Sequence, residues 1–101
     1  MIRHIVWWTL KDEAEGTTAA QNCLKIKELI EALRGKIDTL KAVEVSVKLA
    51  ATTTVDAQIV LHSTHDTTAD LAAYNDHPEH QKIVSFIKKV VNSRQAIDFE
   101  V

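Results

Sequence analysis

Residues 2–10 carry large hydrophobic side chains at both sets of alternating positions. One set is Ile2, His4, Val6, Trp8 and Leu10, and the other is Arg3, Ile5, Trp7 and Thr9. Because successive side chains of a strand point to opposite faces, this pattern predicts a β-strand covered on both sides. Such a strand belongs in the middle of a sheet.

A helical pattern follows a polar loop at residues 11–16. Hydrophobic side chains then recur every three or four positions, at Ala19, Cys23, Ile26, Ile30 and Leu33. This spacing predicts a helix with one buried side. Thr17 or Thr18 can cap its start, and Gly35 suits a left-handed stop near its end.

Three further segments have the alternation of strands. Residues 39–49 alternate hydrophobic and polar side chains. This pattern predicts a strand with one solvent-exposed face, which favours a position at the edge of a sheet. Residues 56–65 predict a third strand, and residues 96–101 predict the last one.

Two helices are expected between the third strand and the last. A short helix over residues 69–74 follows Thr67 or Thr68, either of which can cap it. Pro78 fits the first turn of a second helix, where its missing N–H costs nothing, and that helix should run to about Val91.

The order strand–helix–strand–strand–helix–strand is that of the ferredoxin-like βαββαβ plait, an α+β fold. Both crossover connections are helical, so the helices should lie on one face of a four-stranded antiparallel sheet. The other face must still cover the hydrophobic side chains of the first strand. A second copy of the chain would cover them, and we therefore expect a homodimer whose sheets pack face to face as a dimeric α+β barrel.

Size and composition limit the possible functions. The chain has 101 residues, the length of one domain, and a formal charge of −2. Without a basic stripe or cluster, binding to nucleic acid or to an anionic membrane is not expected, and no hydrophobic run is long enough for a spanning helix. Cys23 is the only cysteine, which rules out an intrachain disulfide and favours the cytoplasm. Two glycines cannot form a glycine-rich phosphate loop, and we expect no cofactor.

The five histidines raise the question of a metal site. His77 and His80 are suitably spaced, but Pro78 lies between them and puts His77 at a helix entry. Zinc would need further ligands, and the sequence shows no such pattern. His62 and His65 fall on opposite faces of the third strand or at its end, and we expect surface or capping roles for them. The sequence therefore predicts no metal site.

Three residues make the best candidate for a catalytic site: His4, Tyr74 and His80. All three would meet between sheet and helices if the His4 face of the first strand looks at the helices. A histidine can move a proton near neutral pH, and a tyrosine hydroxyl can orient or polarise a carbonyl. Together they suit cofactor-free proton abstraction next to a carbonyl. The alternative is structural: His4 is a hydrogen-bonded interior histidine, Tyr74 packs on it, and His80 caps a turn.

Three segments resemble the stress-responsive A/B barrel (Dabb) proteins. They are the opening Met-Ile-Arg-His-Ile-Val, the segment Tyr74–His80 with the pattern Y-x-x-H-P-x-H, and the ending Ile97–Val101. The similarity spans the whole chain, so residues 1–101 are identified as one domain of this type. The resemblance implies a dimeric α+β barrel and implies much less about activity.

The resemblance also suggests site residues. Plant members of the family include stress-induced proteins and a polyketide cyclase that performs a cofactor-free aldol cyclisation. The catalytic tyrosine and histidine of that cyclase match Tyr74 and His80, and a first-strand histidine near its cavity matches His4. Asn75 and Asp76 stand where the cyclase is apolar, which implies a more polar cavity here.

Two functions are compatible with these residues. One is a cofactor-free lyase, cyclase or isomerase for a carbonyl compound, with His80 as the base and Tyr74 as the hydroxyl that orients the substrate or stabilises its enolate. The other is a non-catalytic stress-response or ligand-binding dimer with a small-molecule cavity between sheet and helices.

Overall fold

The main sheet has four antiparallel strands in the order β4–β5–β1–β6. The computed structural model describes residues 1–101. The central strand β1 (Ile2–Leu10) lies between β5 (Ile59–His65) and β6 (Val91–Glu100), and β4 (Ala42–Ser46) pairs with β5 at the far edge. The ferredoxin-like fold and the central place of the first strand are thus confirmed.

Three helices cover one face of the sheet: α1 (Ala19–Glu31), α2 (Thr68–Asp76) and α3 (Pro78–Val90). Of the alternative capping residues, Thr18 caps α1 and Thr67 caps α2, each by accepting a backbone N–H of the first turn. None of the helices has the length and hydrophobicity needed to cross a bilayer.

The hydrophobic core fills the space between these helices and the sheet. Its most buried members come from different elements: Val6 from β1, Ile26 from α1, Ile59 from β5 and Val90 from α3. Removing these side chains from water is the main stabilisation of such a fold.

Several boundaries differ from the prediction. The helix α1 ends at Glu31, well before Gly35, although Gly35 does have the left-handed conformation expected of it. The strand β4 ends at Ser46, which pairs with Val60, and since β5 begins at Ile59, residues beyond Val47 have no strand to pair with. The strand β6 starts at Val91, directly after α3 and earlier than predicted.

A small β-hairpin occupies part of the segment predicted as a polar loop. Its strands are β2 (Glu13–Ala14) and β3 (Thr17–Thr18). The turn residues Glu15 and Gly16 have φ angles of 51° and 79°, as a two-residue hairpin turn with both φ positive requires. Asn22 of α1 donates from Nδ2 to the carbonyl of Ala14 at 3.0 Å, which ties the hairpin to the helix.

Polar side chains protect the edge strand β4. Lys27 donates from Nζ to the carbonyl of Val45 at 2.7 Å, and Glu31 accepts the N–H of Val45 at 3.2 Å. Arg34 donates from Nη2 to the carbonyl of Val43 at 2.6 Å. The hydrogen bond from Lys27 lowers the pKa of Glu31, which keeps its carboxylate ionised. Because these backbone groups are satisfied, they are not free to pair with another chain.

Candidate functional site

Four ring side chains form a continuous row between the sheet and the helices. The ring centroids of His4 on β1 and His65 on β5 are 6.3 Å apart. His65 packs against Tyr74 of α2 at 4.9 Å, and Tyr74 packs against His80 of α3 at 4.4 Å. The three residues singled out from the sequence are therefore brought together, with His65 as the connection between them.

A carboxylate on the neighbouring strand holds His4. The β1–β6 register sets His4 opposite Asp98, with Nδ1 of the imidazole 2.5 Å from Oδ1 of the carboxylate. An ionised carboxylate can only accept, so Nδ1 donates and Nε2 is the ring atom left for other partners. The side chain of His4 is 6% exposed and that of Asp98 is 47% exposed. The pair thus connects a buried imidazole to solvent.

The ring of His80 is oriented by the backbone just before α3. Its Nδ1 donates to the carbonyl of Asn75 at 3.0 Å, and its Nε2 forms no hydrogen bond within the chain. Burial lowers the pKa of His80, and the nearby His4 and Arg94 act in the same direction. At neutral pH the ring is therefore uncharged, with a free lone pair on Nε2.

His65 is fully buried, so the prediction of a surface or capping residue is wrong for it. Its Nδ1 donates to the carbonyl of Thr39 at 2.7 Å, and its Nε2 accepts from the hydroxyl of Ser63 at 2.9 Å. Burial lowers the pKa of His65, which keeps the ring neutral. The signal was in the sequence, because His65 continues the inward-facing positions Ile59, Leu61 and Ser63.

Tyr74 lies between His65 and His80 in the row. The side chain is fully buried, and its hydroxyl has no hydrogen-bond partner in the chain. Burial raises the pKa of Tyr74 to about 12, so the hydroxyl stays protonated. The ring packs against both His65 and His80 and is not part of the pocket wall described below.

His77 caps α3, whereas the structural interpretation of the sequence had His80 capping a turn. Nδ1 of His77 accepts the backbone N–H of Glu79 at 3.1 Å, and Pro78 occupies the first turn as expected. No group of three or more His, Cys, Asp or Glu side chains is arranged to hold a metal ion.

A pocket of about 270 Å³ opens between α3 and the strands β1 and β6. The backbone of α3 packs against α1 and α2 and stays farther from the two strands, which leaves this space. His4, His80 and Arg94 contribute polar groups to the wall, and Val6 and Trp8 contribute hydrophobic ones. The volume lies near the lower limit of small-molecule pockets, which begin at about 300 Å³.

A larger groove of about 510 Å³ lies between α1 and the segments beside β4 and β5. Its wall is mainly hydrophobic and includes Cys23, whose thiol pKa is raised by burial. The groove contains no histidine or carboxylate, so it lacks groups for acid–base chemistry. We therefore place the candidate site in the smaller pocket.

The sheet, its helices on one face and the pocket between them define a ferredoxin-like α+β protein. Within that class, the model of the stress-responsive A/B barrel domain (Dabb) matches residues 2–101. The chain belongs to this family.

Solved structures with the same fold include proteins with and without a known activity. A dimeric ferredoxin-like protein of unknown function from Bacteroides fragilis is 29% identical, with a TM-score of 0.82 over 99% of this chain and 95% of that one. A dimeric ferredoxin-like protein of unknown function from Thermobifida fusca is 22% identical, with a TM-score of 0.79 over 99% and 90%. The hydroxynitrile lyase of Passiflora edulis is 15% identical, with a TM-score of 0.76 over 99% and 92%. The last two are similar in fold alone. No curated protein matches the chain.

Proposed function

We propose that the pocket binds a small carbonyl compound and that its histidines transfer protons on this compound without a cofactor. The protein would then be a lyase, cyclase or isomerase. One observation carries the proposal: a neutral His80 with a free Nε2 and a His4 held by Asp98 line the same pocket. One structural relative with this fold is a hydroxynitrile lyase, which is consistent with such chemistry.

His80 would act as the base. Its Nε2 would take a proton from the carbon next to the carbonyl, and the electron pair of that C–H bond would become the enolate. His4 would face the developing oxyanion through Nε2. When its ring carries both protons, with Nδ1 donating to Asp98, Nε2 can donate a hydrogen bond to that oxygen.

Tyr74 would hold the ring of His80 in place by packing against it. The prediction that its hydroxyl touches the substrate stays a prediction. For that contact, the ring would have to move, since the hydroxyl is buried away from the pocket wall.

We also propose that the protein is a homodimer that buries the helix-free face of its sheet. On this face Ile97 of β6 lies beside the half-buried Ile5 of β1, and Phe99 lies beside Arg3. Ile97 is 53% exposed and Phe99 is 40% exposed in the single chain. Two of the structural relatives are described as dimeric, and a second copy would cover these side chains here as well.

Exchange of α-protons in D₂O tests the proposed chemistry. The probes would be small carbonyl compounds, with phenylacetaldehyde as a neutral member and phenylpyruvate as an anionic one, followed by NMR. We expect the wild-type protein to accelerate exchange of at least one probe, and His80→Gln to slow it by about 100-fold or more. His77→Asn is the matched control, because it removes a nearby imidazole and keeps a good helix cap. Exchange no faster than in buffer, or full exchange by His80→Gln, would refute the proposal.

The non-catalytic alternative is a dimer that binds a small ligand in this pocket or has a role in stress responses. The buried position of the Tyr74 hydroxyl favours this alternative, because one of the three expected catalytic residues does not line the pocket. Ligand binding without accelerated exchange would identify this alternative. A cytoplasmic location, expected from the single cysteine, stays a prediction.

A further inference from the structure

We infer that the pocket selects carbonyl compounds that carry a carboxylate, and that Arg94 binds this carboxylate. The inference deepens the proposed function and rests on it for the carbonyl part of the ligand. It concerns a residue of β6 that the proposed proton transfer does not use.

The side chains that line the pocket are all positive or neutral. Lys88 and Arg94 line it, and no Asp or Glu does. The carboxylate of Asp98 is not part of this lining and is hydrogen-bonded to Nδ1 of His4 at 2.5 Å. A ligand with a negative charge would therefore be attracted by Lys88 and Arg94 at the wall.

Arg94 has no partner within the chain. The six ion pairs of the protein are all formed by other residues. The guanidinium of Arg94 also donates no hydrogen bond within the chain. A guanidinium has five N–H donors in a planar arrangement that matches a carboxylate in a two-point contact. An uncommitted arginine in a pocket wall is suited to that contact.

The strand register places Arg94 at a useful distance along the site. Arg94 lies opposite Trp8, and Asp98 lies opposite His4, all on the helix-facing side of β1 and β6. A ligand whose carboxylate is held by Arg94 would extend along Trp8 and Val6 towards the two histidines. Its body should therefore be hydrophobic, which describes an aryl- or alkyl-substituted oxo acid.

Calorimetry with phenylpyruvate and its uncharged methyl ester tests this inference. We expect the wild-type protein to bind the acid about tenfold or more tightly than the ester. Arg94→Gln should weaken binding of the acid by about the same factor and leave that of the ester within about twofold. The control Lys82→Gln removes the same charge from an exposed position of α3 outside the pocket and should keep the preference for the acid.

The inference is overturned if the wild-type protein binds acid and ester equally or binds neither. It is also overturned if Arg94→Gln weakens both ligands alike, or if Lys82→Gln has the same effect as Arg94→Gln. Binding and proton exchange separate the two claims. If the acid binds through Arg94 and no probe exchanges, the proposed proton transfer is refuted and the carboxylate site is supported. If phenylacetaldehyde exchanges and the acid is not preferred, the proton transfer is supported and the carboxylate site is refuted.

Discussion

His4 and Asp98 share a hydrogen bond of 2.5 Å that joins the central strand of the sheet to its edge strand. The imidazole is buried and the carboxylate is half exposed, so substitutions of His4 and of Asp98 should have different effects. At His4 a change would reach the core. At Asp98 it would change mainly the charge beside the imidazole.

Replacing Asp98 with Asn should therefore reduce activity and preserve the fold. The amide oxygen can still accept from Nδ1 of His4, but the negative charge that stabilises a cationic ring is lost. We expect α-proton exchange to slow by about tenfold or more, because a ring that carries both protons loses its anionic partner. Glu100→Gln, on the same face of β6, is the control and should have wild-type exchange. An Asp98→Asn protein with undiminished exchange would show that the charge of Asp98 does not contribute to the proton transfer.

The Tyr74→Phe substitution separates a structural role of this residue from a catalytic one. The tyrosine hydroxyl is buried without a partner, which costs stability, so its removal should raise the free energy of unfolding by about 1 kcal/mol. Urea unfolding would measure this gain. We expect proton exchange to stay unchanged, because the phenyl ring still supports His80. A stable Tyr74→Phe protein that has lost exchange would instead show that the hydroxyl reaches the substrate.

The fold was predictable because its main signals are local. Alternation in residues 2–10 and the helical spacing around Ile26 and Ile30 do not depend on the rest of the chain. The ends of elements were less predictable. The strand β4 stops at Ser46, close to where its partner β5 begins at Ile59, and this depends on a pairing that neither segment encodes alone.

The site was predictable only in part. His4, Tyr74 and His80 do lie in one row, but Asp98 and Arg94 were missed. Their importance comes from the β1–β6 register, which brings residues from the two ends of the chain together. His65 is a different case, because its inward position follows from the alternation along β5.

Stability should fall as the pH is lowered below about 6.5. Burial lowers the pKa of His65 in the folded protein, so the unfolded chain binds the proton first as the pH drops. The loss of unfolding free energy begins near the ordinary histidine pKa of about 6.5 and can reach about 1.4 kcal/mol per pH unit. It ends below the lowered pKa of His65 in the folded protein. Above about 6.5 this histidine contributes no pH dependence. His80, whose pKa is also lowered by burial, acts in the same direction.

Urea unfolding at several pH values between about 5 and 8 would measure this effect. His65→Gln removes the titrating group and should flatten part of the curve. Ser63→Ala is the control, because it removes the hydroxyl that donates to His65 and leaves a buried ring that still titrates. If His65→Gln keeps the full slope of the wild-type protein, the loss of stability has another origin.

The helix-free face of the sheet provides the last prediction. Ile97→Glu would put a charge on this face beside Ile5, and a buried unpaired charge costs several kcal/mol. We expect the dissociation constant of the dimer to rise by about 100-fold or more, measured by light scattering or sedimentation across a concentration series. Ser85→Glu adds the same charge at an exposed position of α3 and should leave the dimer intact. A wild-type protein that is monomeric at micromolar concentration, or an Ile97→Glu protein that dimerises as well as Ser85→Glu, would show that this face is not the interface.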